Sequence, residues 1–167
     1  IDRIEDKNGN VIQQFTPRKK PAMSEEHAYL MTYMLRGGFE EEDGTSRGVA
    51  WTIREGNELG GKTGTTQNAS DGWYMGISKD LVSGAWVGGD DRAIHFRSWT
   101  AGQGGRTARP IWVKYMEKVY ADPSLGYTKG PFPRPERPLS IEIDCDKYEQ
   151  ESQRFADFDY DAKKNDF

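Results

Sequence analysis

Gly61-Lys62-Thr63-Gly64-Thr65-Thr66 is the stretch on which the reading of this chain turns. Threonines alternating with glycine favour an extended segment and make a poor helix start. Extended, the segment carries a cation, small hydroxyls and side-chain-free backbone within a few residues. Strand alternation puts Thr63 and Thr65 on one face. Such a strand can grip a carboxylate and polarise a nearby acyl group.

A second reading competes for the same lysine. Gly56-Asn57-Glu58-Leu59-Gly60-Gly61-Lys62-Thr63 matches the phosphate-loop pattern G-x-x-x-x-G-K-T letter for letter. In a nucleotide-binding module Lys62 would reach the terminal phosphates and Thr63 would hold magnesium, with Asp90 or Asp91 as a second anchor. That site needs a buried strand before it and a helix opening at its Lys-Thr. Here Arg54-Glu55 precedes the loop, and Gly64 to Gly72 is a helix-poor run. The context favours the acyl-transfer reading.

Outside this stretch the pattern is mixed. Ile1 to Phe15 reads as a hairpin around Asn8-Gly9, and two prolines make residues 16–21 a connector. Ser24 caps a helix with Glu25 and Glu26 in its first turn, and Gly37-Gly38 is expected to stop it. Val49–Arg54 reads as a short helix. Trp73–Ile77 and Val82–Gly88 read as hairpin strands, and the glycine-rich run 102–105 leads into a helix at 107–120 with Pro110 in its first turn. The predicted class is α+β, an antiparallel sheet packed on helices.

Composition limits the function. The chain has 167 residues and a net charge of −4, with an apolar fraction of 35%, low for a compact globule. Residues 140–167 hold nine acids against four bases, which leaves residues 1–139 almost neutral at 18 acids and 19 bases. With no basic stripe to follow phosphates, nucleic acid is not an expected partner. Cys145 is the single cysteine, so neither an intrachain disulfide nor a cysteine metal cluster is predicted. His27 and His95 lack metal-ligand spacing, and no cofactor is expected. No apolar run approaches the roughly 20 residues needed to span a bilayer. The start at Ile1, inside a strand-like run, predicts a processed or truncated product.

Six stretches in order carry a family resemblance. Ser24 to Leu35 is similar to a helix of the form S-x-x-x-A-Y-x-L-T-x-M-L. Gly44-Thr45-Ser46 stands for G-T-G or G-T-A, and Gly61 to Thr66 for G-K-T-G-T-T. Asp71 to Gly76 resembles D-A-W-F-x-G, Trp86 to Asp91 resembles W-V-G-Y-D-D, and Ala108-Arg109-Pro110-Ile111-Trp112 resembles A-A-P-I-W. Residues 22–116 thereby resemble the C-terminal half of the transpeptidase domain of class A, bifunctional penicillin-binding proteins, a β-lactamase/transpeptidase-like fold. Lys-Thr-Gly is one of that group's signatures.

The resemblance implies a peptidoglycan D,D-transpeptidase that cross-links stem peptides through an acyl-serine and is trapped by β-lactams. Lys62 and Thr65 would be its catalytic residues here. Lys62 would support proton traffic and add positive potential for the substrate carboxylate. Thr63, Gly64, Thr65 and Thr66 would bind substrate, and the Thr65 N–H would be an oxyanion donor. The signatures Ser-x-x-Lys and Ser-x-Asn occur nowhere in the chain. The half that holds the nucleophile is missing, so the chain alone is predicted to be inactive. A non-catalytic interaction module of the same fold is the remaining alternative. Residues 1–120 form the domain portion, 121–139 a proline-rich linker and 140–167 an acidic tail or arm. The implied location is periplasmic, at the extracytoplasmic face of the inner membrane, with any anchor upstream.

Plainer roles are expected at the other singled-out residues. Asp71 reads as a turn cap and Trp73, Trp86 and Trp112 as core. Trp51 and Trp99 are placed at the cleft rim or in the core.

Overall fold

The computed structural model describes residues 1–16, 20–150 and 153. The rest of the predicted connector (17–19) and of the acidic end (151–152 and 154–167) lies outside the described residues. Two strands, β1 (Arg3–Glu5) and β2 (Val11–Gln14), pair antiparallel as an exposed hairpin. Asp6 accepts from the N–H groups of Asn8 and Asn10, and Gly9 takes a φ of +85°, which closes the turn.

Ser24 caps α1 (Glu25–Glu40) by accepting from the His27 N–H. The helix does not stop at Gly37-Gly38 as the sequence suggests; it runs through both to Glu40. The glycines serve packing instead. A Cβ on Gly38 would stand 2.7 Å from the Gly61 carbonyl oxygen, and a Cβ on Gly60 would stand 2.9 Å from Leu35 Cβ. The helix therefore touches the start of the next strand at backbone distance, which only side-chain-free positions permit.

A short helix, α2 (Trp51–Arg54), buries Ile53 and leads to β3 (Gly60–Thr65). The strands β4 (Asp71–Ile77) and β5 (Val82–Gly88) complete an antiparallel sheet of order β3-β4-β5. Thr63 faces Tyr74 across the ladder, and Trp73 faces Trp86. After α3 (Trp99–Gly102), α4 (Ala108–Ala121) packs on the sheet face that carries Tyr74 and Ala85. The Tyr74 and Trp112 rings meet at 5.1 Å, and Trp112 Nε1 donates to Ser83 Oγ at 2.8 Å. Gly76 leaves room for that indole. The class is α+β, as the periodicity indicates.

Two of the three tryptophans expected in the core are not there. Trp112 is buried, but Trp73 and Trp86 are 46% and 44% exposed. Strand period decides this: Tyr74 takes the inward position, so Trp73 and Met75 must point to the opposite face. An unbroken apolar run gives no indication of which phase will win.

The proline-rich segment lies on the body. Glu58 donates its N–H to the Gly130 carbonyl, and its carboxylate accepts from the Phe132 N–H at 2.8 Å and from Arg36 at 3.0 Å. Phe132 is buried. Farther on, the Ser140 hydroxyl donates to Glu26, and the Tyr33 hydroxyl donates to the Ile143 carbonyl.

The two neighbouring glycines of α1 make opposite predictions. Gly38→Ala drives a methyl into the Gly61 carbonyl and should cost about 1–3 kcal/mol. Gly37→Ala meets only the flexible Glu41 side chain, at 3.3 Å. It should be neutral or stabilise by up to about 1 kcal/mol through helix propensity. Urea midpoints of both variants check this. A second prediction concerns Tyr74, whose phenol is pushed up from 10.0 to about 12 by burial, against the lowering effect of its bond to Ser46. Its neutral form stabilises the fold fully below pH 10, and that stability is lost as pH rises towards about 12. Tyr74→Phe should flatten this alkaline decline while costing about 1–3 kcal/mol at neutral pH, where Ser46 loses its partner. Denaturation midpoints across the alkaline range measure both effects.

Candidate active site

The site is built on β3, an edge strand. The Thr66 N–H bonds the Asp71 carbonyl at 3.1 Å, towards β4. In an antiparallel ladder, successive residues direct their N–H and C=O groups alternately towards and away from the partner. Thr65, Thr63 and Gly61 therefore turn theirs to the free edge. Two observations agree: Gly38 sits against the Gly61 carbonyl, and Lys62 Nζ donates to the Thr63 carbonyl at 3.0 Å.

The side chains divide between two faces. Lys62 is exposed and lies opposite Met75, on the face shared by Trp73 and Trp86. Thr63 and Thr65 lie on the other face, against the glycine loop that precedes α4. The Gly104 N–H donates to Thr65 Oγ1 at 3.1 Å, which leaves the Thr65 hydroxyl proton free to donate elsewhere. A Cβ on Gly104 would collide with the Gly64 and Trp73 backbones, so glycine is required where that loop crosses the sheet.

Thr66 is committed to the turn. Its hydroxyl donates to Asp71 Oδ2 at 3.0 Å and lies 2.9 Å from Ser70 Oγ, and its oxygen accepts from the Asp71 N–H. Asp71 also accepts from Trp86 Nε1 at 3.1 Å. These hydrogen bonds, led by that from Thr66, hold the Asp71 carboxyl below its ordinary value despite partial desolvation. Asp71 thus ties the β3–β4 turn to β5. In the same turn Asn68 and Ala69 take φ of 59° and 53°, left-handed values that a buried alanine adopts only when its surroundings impose them.

Gly44-Thr45-Ser46 sits beneath the Thr63 face. Ser46 is fully buried, takes the Tyr74 O–H at 2.9 Å and donates its N–H to the Gly38 carbonyl. Arg109 Nη1 donates to the Thr45 carbonyl. This loop and Arg109 were not candidate site residues from the sequence. The arginine where the similar motif has alanine was the one available signal.

The phosphate-loop alternative fails on geometry. Gly60–Thr65 is a strand, and a 3-10 turn (Gln67–Ala69) follows it instead of a helix opening at Lys62-Thr63. Among the described residues no group of His, Cys, Asp or Glu is placed to hold a metal. His27 Nδ1 lies against Ser24 Oγ, and His95 Nδ1 against the Phe96 carbonyl. Trp51 and Trp99 are exposed. No helix of the described residues is long and apolar enough to cross a membrane.

No protein-family model matches the chain. Penicillin-binding protein 1A of Neisseria gonorrhoeae is 34% identical over 121 residues, which covers 70% of this chain and 14% of that protein. Its counterpart in Haemophilus influenzae is 32% identical over 139 residues, 81% of this chain and 14% of its own length. That of Aquifex aeolicus is 34% identical over 119 residues. The crystal structure of penicillin-binding protein 1A from Haemophilus influenzae matches with a TM-score of 0.51 at 26% identity, covering 86% of this chain and 24% of that one. The chain spans only 14–15% of the length of these curated relatives. Sequence and fold agree that the chain is a homologue of the class A penicillin-binding proteins, matched over part of their length.

Proposed function

We propose that this chain supplies the Lys-Thr-Gly strand of a peptidoglycan D,D-transpeptidase site that also binds β-lactams. The observation that carries the reading is the free edge of β3, which presents the Thr63 and Thr65 backbone groups beside their two hydroxyls.

In this reading the terminal carboxylate of a D-alanyl-D-alanine stem peptide accepts from the Thr63 and Thr65 hydroxyls. The scissile carbonyl lies along the strand edge and its oxygen accepts from the Thr65 N–H. A serine from outside residues 1–167 attacks: its Oγ–C bond forms, its proton passes to a base, and the amide C–N bond breaks. The terminal D-alanine leaves as the protonated amine. An amine of a neighbouring stem peptide then displaces the serine and completes the cross-link. A donor such as the Thr65 N–H is worth about 3 kcal/mol at the tetrahedral stage. Lys62 lies on the opposite, exposed face, and its ammonium supports the proton traffic around the serine brought to that side. A β-lactam follows the first half of the path and stops at the acyl-serine. No Ser-x-x-Lys or Ser-x-Asn is present, so residues 1–167 alone are inert. The substrate is cell-wall peptide, so the site works on the extracytoplasmic, periplasmic side of the membrane.

Intact mass of the full-length protein after incubation with a penicillin tests this. One adduct on the full-length protein and none on residues 1–167 is expected. Lys62→Ala in the full-length protein should slow acylation by at least about 100-fold. Labelling unchanged by that substitution would overturn the assignment. Absence of any adduct would favour a non-catalytic interaction module with the same fold.

A further inference from the structure

Lys62 is the obvious counter-charge for a substrate carboxylate, but its ammonium is engaged by the Thr63 carbonyl at the strand edge. Its side chain leaves β3 beside Met75, whereas the Thr65 hydroxyl accepts from the Gly104 N–H and the Thr63 side chain borders Gly105. A carboxylate held by the Thr63 and Thr65 hydroxyls has a different cation beside it.

That cation is Arg109. It stands in the first turn of α4, directly before Pro110, and its half-buried side chain turns back over the Gly44–Gly48 loop. One arm donates to the Thr45 carbonyl, and the guanidinium lies flat against Gly48, where any Cβ would strike it. The arm bonded to Thr45 also borders Gly105. A Cβ built there would stand 3.9 Å from Arg109 Nη1 and 3.6 Å from Thr63 Cγ2, so the guanidinium and Thr63 flank one side-chain-free position. Among the described residues no carboxylate comes within ion-pair distance of Arg109. A fixed guanidinium that retains unused N–H donors and lacks a resident anion is a pre-organised carboxylate binder.

We infer that Arg109 is a substrate-binding residue that takes the terminal carboxylate jointly with Thr63, leaving Lys62 to the nucleophile's side. The inference rests on the transpeptidase reading and deepens it. Gly105 is part of the device, because a side chain there would occupy the space between the guanidinium and Thr63. Gly48 lets the guanidinium lie flat, and the Thr45 carbonyl fixes its direction.

The test uses the full-length protein and two penicillins that differ only in the carboxylate, one free and one converted to the neutral methyl amide. Acylation rates are measured for wild type, Arg109→Gln and Arg109→Lys. For the free acid, Arg109→Gln should lose about 10- to 100-fold, the size of one charged hydrogen bond, with the loss in the concentration dependence and not in the limiting rate. Arg109→Lys should recover a substantial part. For the neutral amide the arginine and glutamine proteins should differ by less than about 3-fold. Equal losses for both compounds would overturn the inference and make Arg109 a prop for the 44–48 loop. The absence of loss for either would overturn it as well. If the wild type forms no adduct with either compound, the transpeptidase reading itself falls, an outcome distinct from a wild type that acylates but ignores Arg109.

Discussion

Everything in this structure depends on how closely α1 approaches the start of β3. Gly38 meets the Gly61 carbonyl, and Leu35 meets Gly60, at distances that leave no space for a methyl. Contact this close fixes the height and tilt of the strand relative to the helix, because backbone cannot yield as a side-chain tip can. It also closes the edge of β3 at Gly61 and ends there. Two residues later the same edge is open. A looser helix–strand contact, with alanines in place of glycines, would displace the strand outward and carry Thr63 and Thr65 with it.

Beyond that contact, the strand uses its two faces for different chemistry. Pleating separates Lys62 from Thr63 and Thr65 with no further device. The hydroxyl face is backed by Tyr74, Ser46, the glycine loop and Arg109, a built surround in which the phenol is held neutral by burial. The lysine face is open and apolar, with Trp73, Met75 and Trp86 exposed beside it. The Thr65 hydroxyl is thus positioned by the glycine loop, whereas the lysine ammonium bonds the Thr63 carbonyl on its own strand.

Much of this was legible in the sequence, for identifiable reasons. The Ser24 cap, the Asn8-Gly9 turn and the switch of period after Gly61 are local signals, and the structure follows each. Gly37-Gly38 misled because glycine has two uses, ending a helix and permitting close approach, and the sequence of one helix does not reveal what lies opposite. The tryptophans misled for a related reason: Trp73-Tyr74-Met75 is apolar throughout, so nothing local fixes which residue points inward. The position of residues 129–134 was likewise invisible, since Glu58 and Phe132 meet across 74 residues of sequence.

Arg109 shows where motif reading stops. Its neighbours Ala108, Pro110 and Trp112 match the family pattern because they pack or start the helix, as Ala108 and Trp112 do at 0% and 1% exposure. A motif of this kind records what the fold requires at those positions. The arginine at 109 leaves the core and lies on Gly48, with one arm on the Thr45 carbonyl. Its effect appears only when the 44–48 loop, the glycine loop and β3 are assembled around it. The charge then stands on the same side of the strand as Thr63 and Thr65, whereas Lys62 leaves the opposite face and bonds the Thr63 carbonyl at the edge.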